Sequence, residues 1–264
     1  MRSGKDPRAE TSRMSRPEVE NVTFVESQAD AGRKGAAGSQ TLSRGIRILE
    51  ILAEAREPLA IDEIARRLEV HRSIAYRLLR TLEDHALVVR DSAGRAALGA
   101  RMAALAGAVA ADLQSEALPE LTAVANELGM TCFLGVLDRD ECITLASVEP
   151  RHAVASVAQR PGARHSVTVG APGKAILSLL PPDQWPAGVS DRLRAEIAEI
   201  SERGYATSHD EVIPTVQAVS VPLPLRGHRP AAIAVVHVAS ADDPAAIAAR
   251  LQRSADAIRT ALEG

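Results

Sequence analysis

Between residues 41 and 98 the apolar side chains follow a series of periodicities that few folds accommodate. Over 41–55, Leu42, Ile46, Ile48, Leu49, Ile51 and Leu52 recur at helical spacing. Glu57 and Pro58 end that helix, because proline disfavours helical backbone in the residue before it. A short helix follows over 61–68, with Ile61, Ile64, Ala65 and Leu68 on one face. Glu69, Val70 and His71 make a turn, and a third helix over 72–85 turns Ile74, Ala75, Leu78, Leu79 and Leu82 inward. Residues 86–90 read as a strand, Asp91 to Gly94 as a tight turn, and 95–98 as the returning strand. Each piece alone is ordinary. In this order, within about 60 residues, they predict a winged helix-turn-helix over 40–101, with the helix-turn-helix motif itself over 60–79.

The remainder, 102–264, reads as an α+β domain with a mainly antiparallel sheet. Residues 100–118 look like one continuous helix carrying Met102, Leu105, Ala106, Val109 and Leu113, a stripe suited to a linker or a dimer seam. Helix resumes after Pro119 over 121–128. Strands are expected over 131–137, 142–148, 153–158, 205–208, 216–225 and 231–238, and helices over 170–180, 191–203 and 244–262. Aromatic residues are only 2% of the chain, so the core must be built mostly from Ala, Val, Leu and Ile.

Charge divides the chain in the same place. The net charge is −3, with 11 basic against 9 acidic residues over 40–101 and 13 against 19 over 102–264. Any contact with phosphates therefore belongs to the first segment. Residues 1–39 mix both charges without periodicity and lack the apolar run of a signal peptide, so they read as a disordered tail within which Met14 is a second candidate start. No apolar run approaches the roughly 20 residues of a membrane span. Cys132 and Cys142 have no zinc-site spacing and suit buried core thiols. A cytoplasmic protein without metal, cofactor or membrane contact is the expectation.

The second helix of a helix-turn-helix enters the major groove with its N-terminal residues at the base edges. Those residues here are His71, Arg72, Ser73, Ile74, Tyr76 and Arg77. Arginine offers guanine a two-pronged donor; Ser73 either meets a base or caps the helix. Arg77 and Arg80, one turn apart, suit phosphates, as do Arg90 and Arg95 flanking the wing turn and Arg44 at the start of the first helix. The alternative for each arginine is an ordinary solvated surface, and for Tyr76 packing against the second helix.

With these motifs in place, the sequence resembles the IclR family of bacterial regulators over about 40–264. The resemblance is carried by LSRGIRILEIL, IDEIARRLEV and RSIAYRLLRTLEDHALVVRDSAGRAALG; by ELTAVANELGMTCFLGVLDRDECITL and VEPRHAVA; by HSVTVGAPGKAILSLL; and by RGYATSHDEVIPTVQAVSVPL with PAAIAVVHV. It implies a GAF-like effector-binding domain behind a linker helix, homodimers or dimers of dimers, and operator DNA binding, chiefly by repressors, under control of a small-molecule effector. Carried over position by position, the effector-binding residues are Val169, Gly170, Ala171, Ser208, Ala218, Val235 and His237. Family members that bind short oxoacids place polar side chains at several of these positions. Ala218 and Val235 depart from that and point to a larger or more apolar organic acid or aromatic metabolite. His237 stands alone as a polar group in an apolar run and also reads as a structural histidine. Gly170 to Lys174 lack the spacing of a phosphate loop, which leaves Lys174 structural.

The competing class is an enzyme, such as a hydrolase of a small acid, with an accessory N-terminal domain. His152, His165, His209, His228 and His237 are scattered, with no nucleophile–base or paired-carboxylate pattern around them, so no catalytic residue is assigned.

Overall fold

The computed structural model describes residues 39–55, 57–152, 157–238 and 243–263. The tail expected over 1–39, Met14 included, lies outside the described residues except for Ser39, and so do residues 153–156 of the strand expected over 153–158. Residues 157 and 158 belong to no strand.

Three helices and a two-stranded wing form the N-terminal part: α1 (Gln40–Ala55), α2 (Ile61–Arg67), α3 (Arg72–Asp84), β1 (Val88–Arg90) and β2 (Ala96–Leu98). Ile48, Ile51, Leu52, Ile64, Ala75, Leu79 and Val88 close its core. Burying each large aliphatic side chain contributes about 1.5–3 kcal/mol. Leu59 joins the wing by exchanging backbone bonds of 2.9 and 2.8 Å with Ala96. The turn between α2 and α3 places Glu69 in left-handed backbone (φ 54°), and Val70 N–H returns to Ala65 C=O at 3.0 Å. Of the apolar residues that recur at helical spacing over 41–55, Leu42 and Ile46 face out, at 64% and 49% exposure.

The linker differs from the sequence expectation. Instead of one helix over 100–118, α4 (Arg101–Ala106) stops at Gly107, Ala110 turns left-handed (φ 43°), and α5 (Ala111–Leu128) starts afresh. Glycine in a helix interior is unfavourable by about 1 kcal/mol relative to alanine. Across the break the stripe loses its common face: Leu113 is buried while Leu105 and Val109 are exposed. Pro119 lies inside α5 rather than interrupting it. It and Ser115, whose carbonyl it leaves unbonded, are both exposed, so water can take the missing donor's place.

Six antiparallel strands follow in the order β5-β4-β3-β8-β7-β6: β3 (Thr131–Asp138), β4 (Glu141–Val148), β5 (Arg164–Ser166), β6 (Ala206–His209), β7 (Gln217–Leu223) and β8 (Ala231–His237). The edge strand β5 has no apolar alternation to announce it in the sequence. α5 and α8 (Pro244–Glu263) cover one face, where Leu121, Val124, Leu134, Val219, Val221, Ile233, Val235 and Leu251 pack. α6 (Ala171–Leu177) and α7 (Asp191–Arg203) cover the other, with Phe133, Ala218, Ala232, Ala234, Ala175 and Ile200. Small side chains on this second face let α6 lie close, and every residue of α6 is buried. Gly173 marks the closest approach: a Cβ there would stand 2.4 Å from the Val167 carbonyl oxygen. Gly173→Ala should therefore destabilise the protein by about 2 kcal/mol. Urea denaturation checks this, and a change within about 0.5 kcal/mol, the range of an ordinary surface substitution, would contradict it.

Candidate functional site

The first candidate surface is the outer face of α3. Its inner positions Ala75, Leu78 and Leu79 are fixed in the core, which leaves Arg72, Ser73, Tyr76, Arg77 and Arg80 exposed on the opposite side. The helix start is capped by His71 and not by Ser73. The His71 Nδ1 accepts from the Ser73 N–H at 3.3 Å and lies 2.9 Å from the Ser73 hydroxyl. Ile74 is half-buried against the domain core. Arg77 and Arg80 form no ion pair among the described residues, so their charges are available to phosphate.

The remaining arginines differ from one another. Arg72 donates through Nη1 to both oxygens of Asp62 on α2, at 2.5 Å to Oδ1. Arg90 is bound to Glu83 and lies 5.7 Å from the centre of the Tyr76 ring, which ties the wing to α3 and removes Arg90 from the open surface. Arg95 pairs with Asp91 at 2.8 Å across the wing turn. Arg44 is half-buried on α1. Asp62 and Glu83 were not among the sequence-based candidates, because their pairings join residues ten and seven positions apart across different elements.

The second candidate surface lies where α6 begins. Gly170, at φ 77°, precedes the helix in a conformation that favours glycine. Its N–H donates to Glu211 Oε2 at 2.8 Å, and the Ala171 N–H donates to the Ser208 hydroxyl at 3.0 Å. Lys174, 4% exposed, donates to Glu211 at 2.5 Å and to Glu196 at 2.6 Å. The buried lysine thus joins α6, α7 and the loop after β6, as the structural reading of Lys174 anticipates. Val169, Gly170, Ala171, Ser208 and Ala218 come together on this side of the sheet. Val235 does not. It packs with α5 and α8 on the opposite face, and strand alternation sends His237 to that face as well. Glu211, 41 residues from its bonding partner Gly170, gave no local signal in the sequence.

His165 sits beside Gly170, its Cε1 3.3 Å from where a Cβ on that glycine would stand, and its Nδ1 donates to the Ser166 carbonyl at 2.9 Å. Burial lowers its pKa below the ordinary histidine value, outweighing the opposing effects of that hydrogen bond and of Glu141 and Glu211. As pH falls through about 6.5, the unfolded chain binds a proton that the folded chain refuses, so stability should fall with acidification in that window. Denaturation at pH 7.5 and 5.5 measures the drop, which His165→Gln should reduce. An equal drop in the variant would contradict the assignment. Burial also pushes the Cys142 thiol up to about 12 and raises Cys132, which suits core thiols.

Two family models match the chain: the IclR helix-turn-helix domain over residues 41–92 and the C-terminal domain of the bacterial transcriptional regulator IclR over 106–260. The chain belongs to the IclR family of transcriptional regulators. Among curated IclR-like relatives, a helix-turn-helix transcriptional regulator of Mycobacterium tuberculosis is 31% identical over 159 residues, which span 60% of this chain and 61% of that protein, under two thirds of its length. The transcriptional repressor IclR of Escherichia coli is 28% identical over 213 residues, 69% of this chain and 76% of that one. An IclR regulator from Alicyclobacillus acidocaldarius has a similar solved structure, with TM-score 0.74, 27% identity and coverage of 85% and 99%. So does an IclR homologue from Microbacterium hydrocarbonoxydans in complex with 4-hydroxybenzoate, with TM-score 0.73, 25% identity and coverage of 84% and 99%. These relatives are regulators, which decides against the enzyme reading.

Proposed function

We propose that this IclR-family regulator binds double-stranded operator DNA with α3 in the major groove, and that a small-molecule effector seated on the α6 side of the sheet changes that affinity. The observation that carries the reading is the row of exposed arginines, Arg72, Arg77 and Arg80, on one face of α3 in a chain whose larger part is acidic. The Microbacterium hydrocarbonoxydans homologue, which holds 4-hydroxybenzoate, supports an organic acid or aromatic metabolite as effector. Repression, as in the Escherichia coli relative, is the direction of control. Val169, Gly170, Ala171, Ser208 and Ala218 form the effector site, with Val235 and His237 left out by their face of the sheet. An acid group arriving there has to displace Glu211 or Ser208, or share their N–H donors.

Assembly as a homodimer or dimer of dimers fits the exposed Leu105, Val109 and Leu118 on α4, the linker turn and α5. Among the described residues no helix is long and apolar enough to cross a membrane; the proposed site of action is the cytoplasm, with the DNA. The test is a gel shift of the full chain on the duplex upstream of its own gene, with and without 4-hydroxybenzoate and a panel of other carboxylic acids. A retarded complex whose affinity changes with one of these acids is expected. Absence of any retardation on that duplex and on arbitrary DNA alike would refute the reading.

A further inference from the structure

The ion pair between Arg72 and Asp62 is not explained by the stability of the fold. Both side chains are more than half exposed, at 61% and 67%, and ion pairs so exposed contribute little. Nor is Asp62 needed as a cap: α2 begins after Ala60 with no side-chain cap bond. Its neighbour Glu63 is already held by Arg66 at 2.6 Å and Arg67 at 2.7 Å, which leaves Asp62 as the carboxylate of that turn that reaches across to α3. A carboxylate at the start of α2 also works against DNA affinity, because the first helix of the motif crosses the phosphate backbone.

The geometry of the pair gives it a purpose. Asp62 takes Nη1 alone, with both of its oxygens. Nε and Nη2, the two donors along the other edge of the guanidinium, are left pointing away from that bond. A guanine presents O6 and N7 side by side in the major groove, and two adjacent N–H donors are what it accepts. A free arginine at a helix start has many rotamers and is drawn to any nearby phosphate. An arginine held by one nitrogen has few, and part of its charge is already answered.

We infer that Asp62 is a positioning residue for base recognition: it holds the Arg72 guanidinium so that its Nε–Nη2 edge faces one guanine in each half-site, and it suppresses attachment to phosphate elsewhere. This rests on α3 being the recognition helix. Asp62 acts through Arg72 and touches no base itself. Its removal therefore lowers discrimination at one base pair and raises affinity for arbitrary DNA, two effects that general damage to the fold does not combine.

The experiment is selection from a randomised 30-base-pair duplex pool with the full chain, comparing wild type with Arg72→Ala, Asp62→Asn and Asp62→Glu. Wild type should enrich a motif with guanine favoured about tenfold or more at one position per half-site. Arg72→Ala should lose that preference. Asp62→Asn should reduce it severalfold at the same position alone and bind the unselected pool about threefold more tightly, as expected for loss of one exposed charge interaction. Asp62→Glu, which keeps the carboxylate, should restore most of the preference. If Asp62→Asn selects the same base with the same strength, or loses preference across the whole motif, the inference is overturned. Retention of the guanine preference by Arg72→Ala overturns it too, since Arg72 would not be the reader. Failure of wild type to enrich any motif is a distinct outcome that removes the DNA-reading proposal underneath.

Discussion

Lys174→Met is expected to destabilise the protein by about 3 kcal/mol, because it leaves Glu196 and Glu211 converging on an apolar side chain with no cation between them. Lys174 is almost fully buried while each glutamate is about one-third exposed, so solvent tempers the penalty without removing it. The loss has a second component. Glu211 accepts both from Lys174 and from the Gly170 N–H, so the same substitution loosens the turn that starts α6. Urea denaturation gives the size, and adding Glu196→Gln and Glu211→Gln should recover a substantial part, since two neutral amides can sit together where two carboxylates cannot. A loss below about 1 kcal/mol would show that the triad is no more than a surface pair.

On the DNA side, Arg72→Ala and Arg80→Ala should differ in kind. Arg72→Ala should weaken binding to the selected site by about 1–3 kcal/mol and leave arbitrary duplexes nearly untouched, because it removes a base contact. Arg80→Ala should weaken all duplexes alike and lower the slope of log affinity against log salt by about 0.9, because it removes one phosphate neutralisation. Titrations at several salt concentrations on selected and scrambled duplexes separate the two. Unchanged affinity in both variants would show that α3 does not enter the groove by this face.

The parts of this structure legible in the sequence are those written locally. Residues 191–203 come out as α7 at both ends because Ser190 caps the start, accepting from the Leu193 N–H at 3.3 Å, and Gly204 takes the left-handed position at the end. The winged helix-turn-helix is legible for the same reason, its turns and stripes lying within about 60 consecutive residues. What escaped depends on partners distant in sequence. Alternation correctly puts Val235 and His237 on one face of β8, but nothing local says that α6 packs on the other. The linker break needed the knowledge that Leu113 belongs to the sheet core while Leu105 does not. Around the candidate effector site, the helix expected over 170–180 was readable from the sequence, yet Glu211 and Ser208 reach its first N–H groups from 41 and 37 residues away. The arginines of α3 and the wing were legible as a set. Their division into those with no ion pair among the described residues (Arg77, Arg80), the one positioned by Asp62 (Arg72) and the one stapled to Glu83 (Arg90) was not, because it depends on acids of α2 and α3.

The central claim, that one chain couples a ligand on the α6 side to DNA at α3, is a statement about a shared free energy and therefore works in both directions. A carboxylic acid that raises the melting temperature of the full chain, with 4-hydroxybenzoate tried first, is titrated by calorimetry against free protein and against protein saturated with its selected duplex. The expected result is a change in acid affinity of about 5- to 150-fold, equal to the factor by which the acid changes DNA affinity. Identical acid affinity with and without the duplex would contradict the claim.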